Sequence, residues 1–322
     1  MLRNRSRRRV AIGCGGLALS ALLLAGGGLY LLQRAYDGGV KRIAGALPTQ
    51  RDRPASSGRG ENWLLIGSDR RPDMPSMGAR ADTVMVVHLS GSGDRVSVIG
   101  VPRDSWVPIP GRGTTKINAA YSFGGPPLLI RTVEQLTGVR IDPYGSLDFG
   151  GFVTMTDALG GVDVTVTQQT HDPMHNRTWK AGRQHLNGVE ALDFVRQRWN
   201  LPAGDLDRIK RQQAFLHALA DKALDTKNPI KIDRFVRAAS KSVTVDDSVT
   251  SGTLRGLAQR LLQTSMMEYL TLPVGKLDER NGQSVVLLDD DGVRSLSTAV
   301  RDDRIGDYVA RHGAANSVDA VR

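Results

Sequence analysis

The residues of this chain with chemistry to offer are arginines and aspartates placed at the ends of apolar runs. The stretch "FVRQRWNLPAGDLDRIKRQQ" puts Arg196 and Arg198 two apart, where the end of one helix would aim both into one site. Further along, Arg208 and Gln212 are four apart and share a face of a second helix, with Lys210 and Arg211 elsewhere around it. Arginine suits phosphate oxygens, because its planar fork donates two parallel hydrogen bonds and stays charged when desolvated. A solvated charged face is the alternative for this stretch, although its arginines lack the matching glutamates of helix salt bridges.

Two aspartates flank predicted strands: Asp69 in "GSDRR", and Asp82 in "GARADT" beside Arg80. Two carboxylates brought together suit a hard cation such as Mg²⁺, which takes oxygen ligands and bridges to substrate phosphates. Their alternative roles are a turn cap and a strand start. "VPRDSW" sets Arg103 and Asp104 behind a strand, followed by Lys116, Asn118 and Tyr121 in "KINAAYSFGG". An Arg–Asp neighbour pair is ordinarily a surface pair of little weight. Its place at a strand end, where loops present functional groups, raises its interest.

These residues need a scaffold, and the apolar patterning supplies one. "NWLLIGSD" is a short buried strand that delivers Asp69. "DTVMVVHLS" and "RVSVIGVP" are β-branched strands joined by the turn signal "GSGD". "PLLIRTVEQLTG" has helical spacing and a glycine stop. "YGSLDFGGFVTMTDALGGVDVTV" reads as strand, helix, glycine turn and strand. "NGVEALDFVRQR" and "DLDRIKRQQAFLHALADKAL" are amphipathic helices, the second with Leu206, Ile209, Phe215 and Leu219 along its apolar side. "SGTLRGLAQRLLQ" adds a helix and "QSVVLLD" a late strand. There is no internal repeat. The pattern predicts an α/β fold, a three-layer α/β/α sandwich with a mixed central sheet.

The formal charge of +10 in 322 residues suggests nucleic acid until it is located. Ten basic residues up to Arg53, against Asp37 and Asp52, hold +8 of it, so the remainder is nearly neutral and no nucleic-acid partner is expected. The single cysteine, Cys14, rules out a disulfide framework and a thiolate metal site in the folded part. It also precedes most of the apolar run, which opposes a lipid-modified cysteine. Arg3, Arg5, Arg7, Arg8 and Arg9 lead into an uncharged run from Val10 to Leu32, long enough at about 1.5 Å per residue to cross a hydrocarbon core of ~30 Å. The arginines hold that end in the cytoplasm, and no small-x-small cleavage site follows. The expected organisation is a cytoplasmic basic tail (1–9), a single transmembrane helix (10–32), a juxtamembrane tether (33–60), an extracytoplasmic domain (61–300) and a polar C-terminal tail (301–322).

The ordered set "GSDRR", "RADT", "VPRDS", "KINAAYSFGG", "DFGGF…DALGGVDV", "LNGVEALDFVRQR" and "GDLDRIKRQQ" resembles the LytR–CpsA–Psr family of cell-wall ligases. The resemblance is good from about Asn62 to Leu219 and weaker toward Asp290. It implies a membrane-anchored phosphotransferase that moves a glycopolymer from a polyprenyl-pyrophosphate carrier to peptidoglycan, at a hydroxyl of N-acetylmuramic acid. By matching motif it implies Mg²⁺ on Asp69 and Asp82, and pyrophosphate on Arg80, Arg103, Lys116, Arg196, Arg198, Arg208 and Gln212. Arg103, Asp104, Arg196 and Arg198 would be the catalytic set, with the general base open between Asp104 and a metal-ligating aspartate. Ala81 stands where the family pattern has serine, which leaves the charged positions intact. No sizeable further C-terminal domain, nor a partner bound through one, is expected. The rival functions are a hydrolase of the same lipid, a non-catalytic lipid-phosphate scaffold and a transcriptional attenuator. The last is opposed by the outward topology.

Overall fold

The computed structural model describes residues 39–50, 53–56, 59–68, 81–226 and 228–313. The expected basic tail and transmembrane helix, together with Asp69 and Arg80, lie outside the described residues. Among the described residues no helix is long and apolar enough to cross a membrane.

In chain order the strands and helices are β1 (Lys41–Ile43), β2 (Glu61–Ser68), β3 (Ala81–Leu89), β4 (Arg95–Gly100), β5 (Trp106–Ile109), β6 (Gly113–Lys116), α1 (Asn118–Thr137), β7 (Tyr144–Asp148), α2 (Phe149–Ala158), β8 (Val162–Val166), β9 (Thr170–Asp172), β10 (Arg177–Trp179), β11 (Gly182–Leu186), α3 (Gly188–Arg196), α4 (Asp205–Asp225), α5 (Pro229–Ser242), β12 (Val243–Asp246), α6 (Ser251–Gln263), β13 (Met266–Thr271), β14 (Val274–Arg280), β15 (Gln283–Leu288), α7 (Asp290–Arg301) and α8 (Ile305–His312).

Seven strands form one sheet in the order β1-β12-β7-β2-β3-β4-β13. It is mixed: β2 and β3, β3 and β4, and β12 and β7 run antiparallel, while β2 and β7, β4 and β13, and β1 and β12 run parallel. Side chains alternate across a strand, so a central strand buried on both faces divides its apolar residues between two cores. On β3, Val84 and Val86 join Leu129 and Val133 of α1, Leu296 of α7 and Tyr308 of α8. Met85 and Val87 of the same strand join Phe194 of α3 and Phe215 of α4 on the other face. Helices therefore cover both faces of the sheet.

Local sequence sets the helix ends near the site. Asp148 caps α2 by accepting from the Gly151 N–H at 2.7 Å. Asn187 and Glu190 close a capping box on α3. α1 stops where the sequence predicts, at Gly138 with φ 64°. It also begins earlier than predicted, in "NAAYSF", and breaks at Gly124 and Gly125 before Pro126.

Two segments differ from expectation. The stretch expected as a tether contributes β1, which pairs with β12 and covers that edge of the sheet. It also contributes Arg53, whose buried guanidinium donates to the Glu134 carboxylate at 2.7 Å and to Asp142 at 2.8 Å. Three strand residues and a lone arginine carry no periodicity, so only their distant partners reveal them. The expected polar tail likewise holds α8, in which Ile305 and Tyr308, three apart, are buried in the first core.

Candidate functional site

The polar cluster assembles from four places in the chain. Asp82 opens β3, Arg103 and Asp104 follow β4, Lys116 ends β6, and Asp205 and Arg208 form the first turn of α4. The Arg103 guanidinium sits at the centre: Nη1 donates to Asp82, while Nε lies 3.5 Å from Asp205 Oδ1 and 3.9 Å from Asp104 Oδ2. Lys116 Nζ holds the other Asp104 oxygen at 3.0 Å. Arg208, only 3% exposed, forms an ion pair with Asp205 through Nη2.

Burial decides the electrostatics. The Asp205 carboxyl is pushed up by desolvation, against the lowering pull of Arg208 and Arg103. Desolvation brings Arg208 down to about 10, opposed chiefly by Asp205. Asp205 is paired with Arg208 and Arg103 by charge, and neither of its oxygens accepts a well-aligned hydrogen bond.

Arg196 and Arg198 complete the charged end. The Arg196 guanidinium lies 4.5 Å from the centroid of the Phe149 ring, and Arg198 lies 5.1 Å from that of Trp199. Neither forms an ion pair with a carboxylate among the described residues. Aromatic faces hold both, which leaves their donors free for an anion.

A cavity of about 480 Å³ runs from these groups between the sheet and helices α2, α3 and α4. α4 contributes Arg208, Gln212, Phe215, Leu216 and Leu219 to its wall. The spacing is one helical stripe spanning about 16 Å at ~1.5 Å per residue, cationic at the start and aliphatic at the end. Phe149, Phe152 and Met155 of α2 and Leu192 and Val195 of α3 make the facing wall. Gly188 lets α3 close on α2, because a Cβ there would meet the Val153 backbone at 2.8 Å. The chamber therefore suits an amphiphile with an anionic head and a hydrocarbon tail. A separate concavity of about 830 Å³ along α7 and α8 is lined by Arg294 and Arg304, both in local ion pairs, and none of these site residues lines it.

Of the ten candidate residues read from the sequence, Asp82, Arg103, Arg196, Arg198, Arg208 and Gln212 all line this cavity. Asp104 and Lys116 are joined to it through Arg103. Asp69 and Arg80 lie outside the described residues. Sequence reasoning missed Asp205, which sits inside the quoted "GDLDR" segment three residues before Arg208; that spacing was its only signal. It also left Arg211 without a role. The structure makes Arg211 fully buried, over the Phe194 ring at 4.3 Å, with Nη1 donating to Gln197 Oε1 and Nη2 to Thr170 Oγ1, both at 2.7 Å.

Comparison with known proteins agrees with this architecture. The probable cell wall biosynthesis protein LcpB of Corynebacterium glutamicum is 33% identical over 315 residues, covering 92% of this chain and 74% of its own. The polyisoprenyl-teichoic acid–peptidoglycan teichoic acid transferase TagU of Oceanobacillus iheyensis is 30% identical over 257 residues, 76% of this chain and 79% of its own. The solved structure of TagT bound to LIIa-WTA superposes with a TM-score of 0.65 at 23% identity, over 80% of this chain and 98% of that one, which supports the fold. The family model itself matches residues 38–302, and the chain belongs to the LytR_cpsA_psr family.

Proposed function

We propose that this protein transfers a glycopolymer from a polyprenyl-pyrophosphate carrier to peptidoglycan during cell-wall assembly. The observation that carries the reading is the pair Arg196 and Arg198, which form no ion pair with a carboxylate among the described residues, at the charged end of an otherwise apolar cavity. The names of the relatives point the same way, TagU being a transferase between a polyisoprenyl-linked polymer and peptidoglycan.

In this reading the isoprenoid lies along Phe215, Leu216 and Leu219, and the diphosphate meets Arg103, Arg196, Arg198 and Arg208. An acceptor hydroxyl attacks the sugar-side phosphorus. The new P–O bond joins polymer to peptidoglycan, the bond to the distal phosphate breaks, and polyprenyl monophosphate leaves. Such transfer depends on positioning and on neutralising oxygen charge, which fixed guanidinium groups do best in a closed site. The hydroxyl proton passes to a carboxylate of the Asp82–Asp104–Asp205 cluster.

Among the described residues no three carboxylates come together as a metal site, so Mg²⁺ rests on the motif match that pairs Asp82 with Asp69, whose hard oxygens suit it. Asp82 would hold the ion, with Asp69 as the partner the family motif implies, and the bound ion would neutralise phosphate charge. The apolar run 10–32 would anchor the enzyme in the membrane, with this domain on the extracytoplasmic side beside its lipid donor.

The test supplies purified protein with lipid-linked glycan, Mg²⁺ and peptidoglycan. The expected result is wall-linked polymer plus polyprenyl monophosphate, with R196A and R198A each lowering turnover at least about 100-fold. Accumulation of free phosphorylated glycan with no wall-linked product would sink the transfer reading.

A further inference from the structure

The loop between α3 and α4 places Trp199 half outside the protein, 52% exposed, while Trp63 and Trp179 are each 3% exposed. An exposed indole on a mobile loop would mean little, but this loop is tied from beneath. Gln197, 1% exposed, donates through Nε2 to the carbonyls of Trp199 at 3.0 Å and His171 at 3.2 Å. Its Oε1 is fixed by the buried Arg211, which also anchors on Thr170. Asn200, at φ 60°, turns the chain back and donates to His171 O at 3.2 Å, and Leu201 returns to the interior. Arg198, adjacent in sequence, lines the cavity and contributes to the field at Asp205. The backbone beneath the indole is thus fixed, the Arg198 guanidinium lies over the ring on one side, and the exposed remainder faces solvent beside the charged end of the cavity.

A pyranose ring shows an apolar face of C–H groups edged by hydroxyls, and an aromatic plane held in water is its physical complement. We propose that Trp199 is a stacking platform for a sugar ring of the glycan, a subsite next to the diphosphate site. The inference rests on the transfer reading and adds where its sugar is recognised. The sugar could come from the donor lipid or from the peptidoglycan acceptor, and the two sources separate by experiment.

Two donor probes are a short-chain prenyl diphosphate with no sugar and the same lipid carrying a disaccharide; the acceptor probe is a soluble peptidoglycan glycan fragment. Binding is read by tryptophan emission, which for a ligand at this loop reports the exposed indole, and by calorimetry for variants that lack it. W199A is expected to weaken the disaccharide lipid, or alternatively to raise KM for the glycan fragment, about five- to tenfold. W199F, which keeps a ring beneath Arg198, restores most of the loss, and the sugar-free lipid, which feels Trp199 only through Arg198, weakens less in W199A than the disaccharide lipid does. A loss in the lipid arm alone assigns the platform to the donor, and a loss in the fragment arm alone assigns it to the acceptor. Equal weakening of the sugar-free lipid, or no change in either arm, overturns the platform while the transfer reading stands. If wild type binds neither lipid, the transfer reading falls and the platform falls with it.

Discussion

Arg208 and Asp205 face each other at the first turn of α4, and burial moves both away from their ordinary ionisation. Arg208, brought down to about 10, stays protonated at neutral pH and is available to a diphosphate. Because its folded value lies below its unfolded one, its charge burdens the fold at neutral pH and that burden lifts as pH rises above about 10. Ligand binding follows the opposite course: affinity for a prenyl diphosphate should hold to about pH 9 and fall through about pH 10, as the guanidinium loses its proton. Titration calorimetry from pH 7 to 11 reads this, and a flat profile in R208A ties the step to Arg208. The Asp205 carboxyl has the reverse linkage. Its folded value is raised, so its favourable contribution is present below its unfolded value and is lost as pH climbs through the folded one. D205N removes the nearest counter-charge from a buried guanidinium and should cost about 3 kcal/mol, measured by urea unfolding. A cost near zero would show that Asp82 and Asp104 hold Arg208 unaided.

At the scale of elements, α4 converts sequence spacing into function. Arg208, Gln212, Phe215, Leu216 and Leu219 lie on one stripe, so a single helix lines both the charged head and the apolar tail of the cavity. Filling the far end should then discriminate by chain length: L219W is expected to weaken long-chain prenyl diphosphates about tenfold and leave short ones unchanged. Competition binding with lipids of increasing length checks this, and equal loss for short chains would place the tail elsewhere. Much of this element was legible in advance, since helical periodicity and the four-residue spacing of Arg208 and Gln212 are local properties. The same holds for the hairpin of β3 and β4 and for the glycine stop of α1. What escaped depends on partners far along the chain. Asp205 and Arg208 stand three apart, a spacing that surface helix pairs share, and only the arrival of Arg103 makes them a buried cluster. Arg53 binds Glu134 across 81 residues, and Arg211 reaches Thr170 across 41. Periodicity carries no trace of either.

At the scale of the whole molecule, the first 53 residues carry +8 of the +10 charge, and the same stretch supplies both the proposed anchor and an edge of the sheet. The two roles divide near residue 39. Val40 packs in the second core and Ala46 in the first, so the fold depends on residues inside the stretch expected as a tether. Removing residues 1–38 should leave the melting temperature unchanged, whereas removing residues 1–47 uncovers β12 and vacates both core positions, with a loss of several degrees. The shorter deletion also isolates the anchor. With a soluble short-chain donor, residues 39–322 should turn over as fast as the full chain, because the cavity and its arginines are intact. With donor embedded in vesicles, the full chain meets its lipid at the effective concentration of a shared surface, and the truncated form should be slower by about 10²–10⁴. Equal rates on vesicles would mean that residues 10–32 do not serve as an anchor. Equal losses on both donors would mean that the deletion had damaged the domain, which its melting curve would show.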